Sequence, residues 1–362
     1  MKSNGEHTLE LQSYSTYDLI RFASQALQAV GVPVADADLT AESLVEADQR
    51  GINSHGLLRL PLYVAAIEEG GINPRPQPRW LRDTGSAALL DADGALGQVA
   101  MRAATDYAMA HASERGIAAV AVQNSSHYGA GIFWTDRMAA RGLVAILTST
   151  TGPTVAPYGG VAKVFGTNPL TIAAPSASDH PLTADMATST GAYGKVIAAK
   201  NEGTSIPEGW AVDAQGIPTT DPVEAMAGAL IPFGGHKGSA VSALLEAIAA
   251  SLGSGTFAHE TEDIWSNPGS RMNTGHLLIA LDTEAFAGRQ HTEDRVSRLQ
   301  ERIRESGVSG ATVHAPGDIE YAKGNRNSET VALAASTTRL LNELAEKLNI
   351  AQAAQAAEEP AH

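Results

Sequence analysis

Apolar residues recur along this chain with two periods, and the switches between them outline its elements. Leu19, Phe22, Ala23, Ala26, Leu27 and Val30 fall at helical spacing behind Ser15-Thr16-Tyr17-Asp18, which has the form of a capping box, and Gly31 ends the pattern. A second helix is predicted over residues 36–50, stopped by Gly51, so the chain opens with a helical layer. Ser54 is placed to cap a third helix that carries Arg59 and Tyr63 four residues apart on one face. A proline-rich turn at 73–78 separates this layer from a predicted strand at 87–91 and a helix over 101–115, closed by Gly116. Residues 118–122 and 143–148 are short apolar runs of strand type, and 131–141 between them suits a helix. Further strands are predicted at 170–175, 182–187 and 276–282, and helices at 240–252, 292–304 and 327–348. Residues 150–163 read as loop, 189–194 and 201–220 as excursions from the core, and 351–362 as a disordered tail.

Strands alternating with helices define an α/β chain. With 362 residues, 43% of them hydrophobic, it can bury a large core and is expected to form two closely joined domains, or one domain with a substantial subdomain. A formal charge of -15 without a basic stripe argues against nucleic acid as a partner. No apolar run approaches the roughly 18–20 residues of a membrane span, and the polar N-terminus lacks a secretory core, so a cytoplasmic location is expected. The absence of cysteine removes disulfides, zinc-thiolate sites and cysteine nucleophiles. Chemistry must then rest on His, Lys, Arg, Asp, Ser or Tyr, or on a bound cofactor. The eleven histidines are scattered, with no His-x-x-x-His on one helix, so no metal site is expected and a metal-dependent hydrolase is disfavoured.

Candidate chemistry gathers in three places. His127 follows the strand at 118–122, at the end of a sheet strand where ligands collect in open α/β folds; taken alone, it reads more readily as a histidine that caps the helix or bonds a nearby carbonyl. His55, Arg59 and Tyr63 form a second group, which alone reads equally as a functional cluster or as a surface helix with Arg59 paired to Glu68 or Asp48. In the third, Gly234-Gly235-His236-Lys237-Gly238 leads into an apolar helix, placing backbone N–H groups and an ammonium where an anion binds. The spacing is not that of a Walker loop, and no Gly-x-Gly-x-x-Gly follows a strand. Gly129-Ala130-Gly131 comes nearest, with Trp134 in place of the third glycine, so a Rossmann fold is poorly supported.

Five motifs change the picture together: Ser54-His55-Gly56-x-x-Arg59-x-Pro61-x-Tyr63, Ser126-His127-Tyr128-Gly129, Gly166-Thr167-Asn168-Pro169, Asp185-Met186-Ala187-Thr188-Ser189 and Pro232-Phe233-Gly234-Gly235-His236-Lys237-Gly238. In this order they resemble the malate/L-lactate dehydrogenase type 2 family, over about residues 17–350. The resemblance implies a non-Rossmann mixed β-sheet of the sulfolactate dehydrogenase-like type, flanked by helices, with a helical N-terminal layer. It implies NAD or NADP as cofactor, a small carboxylate substrate and a homodimer. The implied division is a substrate-side domain over 10–120 completed by 305–350, and an NAD(P)-binding domain over 121–304. Carried over by position, His127 is the acid/base, with Asp185 either assisting proton transfer or lining the cofactor. Arg59 holds the substrate carboxylate beside His55 and Tyr63, and Thr151, Asp185, Met186, Ala187 and Lys237 line the cofactor. The implied reaction interconverts a 2-hydroxy acid of malate or lactate type and its 2-oxo acid. Ureidoglycolate oxidation and reduction of a cyclic imine-2-carboxylate are the alternatives within the family. Residues 130–134 depart from the His-Phe-x-x-Leu-Trp pattern of the imine reductases, and Pro316-Gly317-Asp318 resembles the family's Pro-Gly-Glu with a shorter acid. A metabolite-binding relative without turnover is the reading outside enzymes.

Overall fold

The computed structural model describes residues 11–356. β1, Leu11–Ser15, runs directly into α1, Thr16–Ala29, where the Ser15 hydroxyl accepts the Asp18 N–H and Leu19, Phe22, Ala23, Ala26 and Leu27 are buried as their spacing predicts. α2, Val34–Gln49, follows. Ser54 caps no helix, contrary to expectation. Residues Asn53–His55 and Leu57–Arg59 form two single 3₁₀ turns, and α3, Leu60–Glu68, starts only behind Arg59 with Pro61 in its first turn.

β2, Arg79–Asp83, β3, Ala87–Asp91, α4, Gly97–Arg115, β4, Ile117–Ser125, α5, Gly131–Ala139, β5, Leu143–Ser149, β6, Leu170–Ala174, and β7, Leu182–Met186, build most of the main sheet. A small lobe comes next: α6, Tyr193–Glu202, β8, Ala211–Val212, β9, Pro218–Thr219, α7, Pro222–Ala227, and β10, Ala229–Leu230. It has its own apolar cluster of Val155, Val196, Ile206, Ala211, Ala225 and Leu230, so part of the expected excursion is a miniature core. α8, His236–Ser251, then leads to β11, Thr274–Asp282, α9, Arg289–Arg304, and α10, Asp318–Arg326. The closing helix predicted over 327–348 divides into β12, Thr330–Ala334, and α11, Ala335–Leu348. β12 pairs antiparallel with β1, an alternative to helix that only a partner from the far end of the chain makes available.

The main sheet has seven strands in the order β2-β3-β4-β11-β5-β6-β7. β3 and β4 are parallel, whereas β11 lies antiparallel between β4 and β5, with Leu278 opposite both Val120 and Leu147. α4 and α5 pack on the face that carries Leu278 and Ala280, and α8 packs on the other, where Gly275 meets Ala249. The expected domain boundary at 120 falls inside β4, and one continuous apolar core joins that strand to the N-terminal helices. Of the tail expected to be disordered, Gln355 bridges to Tyr14 and the Ala356 N–H bonds to Ser13 O, while 357–362 lie outside the described residues. Among the described residues no helix is long and apolar enough to cross a membrane.

Candidate active site

Where β4 ends, the chain leaves the sheet through Ser126-His127-Tyr128-Gly129 and turns into α5. Two polar anchors fix this turn. The first is His276 of β11, fully buried, whose ring nitrogens lie 2.8 Å from Ser149 Oγ and 2.8 Å from Ser125 Oγ, with Tyr128 packed edge-on against it. Asp185 of β7 is the second: its carboxylate accepts the Ile132 N–H at 3.0 Å and the Thr171 hydroxyl at 2.7 Å, with the Gly131 N–H a further donor. Ala130 has no side chain able to cap α5, so an acid from a neighbouring strand satisfies its first amides. Burial raises the Asp185 pKa, and these donors oppose the rise.

His127 stands on the turn, partly exposed. Its Nδ1 lies 2.6 Å from the Tyr63 hydroxyl and 3.3 Å from the Gly129 N–H. A backbone amide only donates, so Nδ1 accepts and the neutral ring carries its proton on Nε2. Tyr63, buried on α3, accepts in turn from Gln98 Nε2 at 3.4 Å, while Gln98 Oε1 is buried without a partner. His55 stacks on His127 with ring centroids 5.2 Å apart, and Ser54 Oγ lies 2.9 Å from His55 Nδ1. Burial first, and then the charges of His55 and Arg59, hold His127 well below its usual 6.5. Burial and Arg59 bring His55 down to about 4, and burial pushes Tyr63 up to about 12. At neutral pH the cluster therefore holds two neutral imidazoles, a neutral phenol and one cation.

That cation is Arg59. Its Nε donates to Ser54 O at 2.7 Å, and its guanidinium lies over the Trp265 ring, 4.6 Å from the centroid. It pairs with neither Glu68 nor Asp48. Trp265 also meets His127 edge-to-face at 5.5 Å, so one indole spans both groups. The 3₁₀ turns that aim His55 and Arg59 are pinned from beneath by Asp48, a buried residue of α2 whose Oδ2 accepts the Leu57 N–H at 2.7 Å. Burial raises this carboxyl to about 7. Gly56 is what lets it approach, since a Cβ there would sit 2.1 Å from Asp48 Oδ1.

The cofactor-side candidates lie on a second set of joined segments. Thr151 Oγ1 accepts the Thr167 N–H at 2.8 Å, the Thr188 N–H bonds to Thr167 O, and the Phe233 N–H bonds to Thr188 O. Met186 and Ala187 precede Thr188, with Met186 exposed; Lys237, also exposed, opens α8. No side chain caps α8, and Gly234 and Gly235 precede it at φ 60° and 64°, leaving its first amides open to an anion. Gly152, next to Thr151, comes so near Asp263 that a Cβ there would lie 2.4 Å from Oδ2, which brings this set against the Arg59–Trp265 stack. His55, Arg59, Tyr63 and His127 thus converge as the sequence predicts, and Asp185 is placed as a helix cap. Sequence reasoning missed Gln98, Asp48, Asp263 and Trp265; the Trp265 segment lies between elements and carries no periodicity.

The mixed sheet carries no glycine-rich dinucleotide turn, and a histidine hydrogen-bonded to a tyrosine stands beside a guanidinium. The malate/L-lactate dehydrogenase family profile matches residues 14–342. L-sulfolactate dehydrogenase of Methanocaldococcus jannaschii is 34% identical over 327 residues, 90% of this chain and 94% of that one. The Δ1-pyrroline-2-carboxylate/Δ1-piperideine-2-carboxylate reductase of Pseudomonas putida is 37% identical over 88% of this chain and 94% of its own length. The structure of malate dehydrogenase from Pyrococcus horikoshii superposes with a TM-score of 0.87 at 30% identity, covering 97% of this chain and 100% of that one. The chain belongs to the malate/L-lactate dehydrogenase family.

Proposed function

We propose that this chain is an NAD(P)-dependent oxidoreductase that interconverts a small 2-hydroxy acid and its 2-oxo acid. The 2.6 Å contact between Tyr63 and His127 Nδ1 carries the reading, because it turns an Nε2-protonated imidazole toward the space beside Arg59. The terminal nitrogens of Arg59 offer a planar fork to a carboxylate, and Trp265 keeps that guanidinium flat. The open glycine backbone before α8, with Lys237 in its first turn, suits the phosphates of a nicotinamide nucleotide, which Thr151, Met186 and Ala187 would flank. When bound, the nicotinamide supplies or takes the hydride.

In the observed arrangement donors point one way, from Gln98 to Tyr63 to His127 Nδ1, and Nε2–H faces outward to hydrogen-bond the oxygen of a 2-oxo acid; to give that oxygen a proton the ring first takes up a second proton at Nδ1, so that a neutral imidazole is left. Oxidation needs the relay reversed, with Nδ1–H donating to Tyr63 and Tyr63 to Gln98 Oε1, the oxygen that has no partner here. The expected cytoplasmic homodimer belongs to the same reading; exposed Leu244, Ile248 and Leu252 along one face of α8 support its dimeric part. The test is His127→Ala assayed by nicotinamide absorbance with a panel of 2-oxo acids. Turnover falls about a hundred- to ten-thousand-fold while cofactor affinity is kept, and an undiminished rate would remove His127 from the chemistry.

A further inference from the structure

The site contains an acid that holding a carboxylate does not call for. Asp263 begins the turn that carries Trp265, and its Oδ1 accepts the Trp265 N–H at 3.0 Å. Oδ2 points across to Gly152, in the place a side chain there would fill. The turn thus delivers two groups at once: an indole that touches both Arg59 and His127, and a carboxyl beyond it against the cofactor-side segment. Among the described residues Asp263 makes no ion pair with Arg59 within 4.0 Å, and no side-chain donor meets its Oδ2. Its charge nevertheless bears on Arg59 and on Tyr193, and the Tyr193–Gly194 turn lies against Ser54. A substrate whose carboxylate takes the Arg59 fork and whose C2 faces His127 therefore lies beside the turn that presents the Asp263 carboxyl to Gly152.

We propose that Asp263 sets the substrate class of this site, selecting a 2-hydroxy or 2-oxo monocarboxylate whose distal group donates hydrogen bonds or carries positive charge, and disfavouring a second anionic group. This rests on the reading of the site as one for 2-oxo and 2-hydroxy acids. A second carboxylate or sulfonate would meet the half-buried Asp263 as a like charge, whereas an amide, ureido or ammonium group would give its unused oxygen a donor. The acid next to the guanidinium thus works by rejection as much as by attraction.

The test compares reduction of 2-oxosuccinate with that of its near-isosteric monoamide, 2-oxosuccinamate, using reduced nicotinamide cofactor, with 2-oxobutanoate as a substrate lacking a polar distal group. The native enzyme is expected to favour the amide by at least about tenfold in kcat/KM, and Asp263→Asn to shrink that preference by about tenfold or more. 2-Oxobutanoate supplies the reference rate for each protein, and Asp263→Ser moves the ratio as Asn does. A native preference for the dianion, or a ratio that neither substitution moves, overturns the assignment to Asp263 and leaves the dehydrogenase reading standing. Loss of activity on all three acids in both variants also overturns it, because the residue would then be needed for the site rather than for choice. If the native enzyme reduces none of the three, the 2-oxo acid reading falls and this one with it.

Discussion

Tyr63 and His127 come from segments 64 residues apart, yet the phenol hydroxyl and the imidazole Nδ1 meet at 2.6 Å, so α3 decides which nitrogen of the ring holds the proton. Tyr63→Phe removes that control and leaves only the longer Gly129 amide on Nδ1. Turnover is expected to fall about ten- to a hundredfold, with KM and cofactor affinity changing little, as steady-state kinetics in both directions will show. A parallel rise in KM with turnover intact would make Tyr63 a substrate-binding group.

The depressed pKa of His127 predicts a pH profile. A ring that protonates only well below 6.5 is already neutral there, so kcat/KM for oxidation stays level as the pH drops through 6.5. An acid limb centred near 6.5 would contradict the burial argument.

Arg59→Lys keeps the charge but loses the fork and the stack on Trp265. It is expected to weaken carboxylate binding by roughly ten- to a hundredfold in KM, with a smaller effect on turnover. Equal KM values for the two proteins would move the carboxylate elsewhere.

Asp48 makes stability depend on pH. Its carboxyl is raised from 3.8 to about 7 in the folded state, so its contribution is complete below the unfolded value and is lost as the pH rises through 7. That interval corresponds to roughly 4 kcal/mol of linkage. Asp48→Asn retains an oxygen for the Leu57 amide and carries no charge, so denaturant unfolding of the variant should vary less between pH 4 and pH 7 than that of the native protein, and its stability at pH 8 should be higher. Equal pH slopes would dismiss this account.

Asp185 has two roles that one pair of variants separates. As the cap of α5, Asp185→Ala should lower stability by about 1–2 kcal/mol, while Asp185→Asn, which still accepts an amide, keeps turnover within about threefold. A large drop in turnover for Asn, without loss of stability, would instead give Asp185 a part in proton transfer.

Much of this was legible in the chain. The Leu19 to Leu27 stripe and the two apolar runs around His127 carry local signals and form as those signals indicate, whereas the motif at Ser54 to Tyr63 brings its side chains together without a helix capped by Ser54. What sequence could not supply was partnership. β12 looks like the start of α11 because Thr330–Ala334 becomes a strand only against β1, and β2 is exposed throughout, so no alternation marks it. α6 buries little beyond Val196 and Ala199, too faint a stripe between glycines. Trp265 and Asp263 enter the site from a stretch whose order comes from turns, and turns have no period to read.

The position of β11 also bears on how the chain is made. β11 pairs with the strands of both Val120 and Leu147, so the sheet has no centre until the ribosome has passed residue 282. Without β11 the pairing that remains is two half-sheets, β2-β3-β4 and β5-β6-β7, each with an open inner edge. The serines that clamp His276 sit on those two edges, one on each, so the late strand closes the sheet and seats the histidine turn in a single event. Synthesis arrested before residue 274 would leave every residue of the His55–His127 cluster translated and the strand beneath it missing.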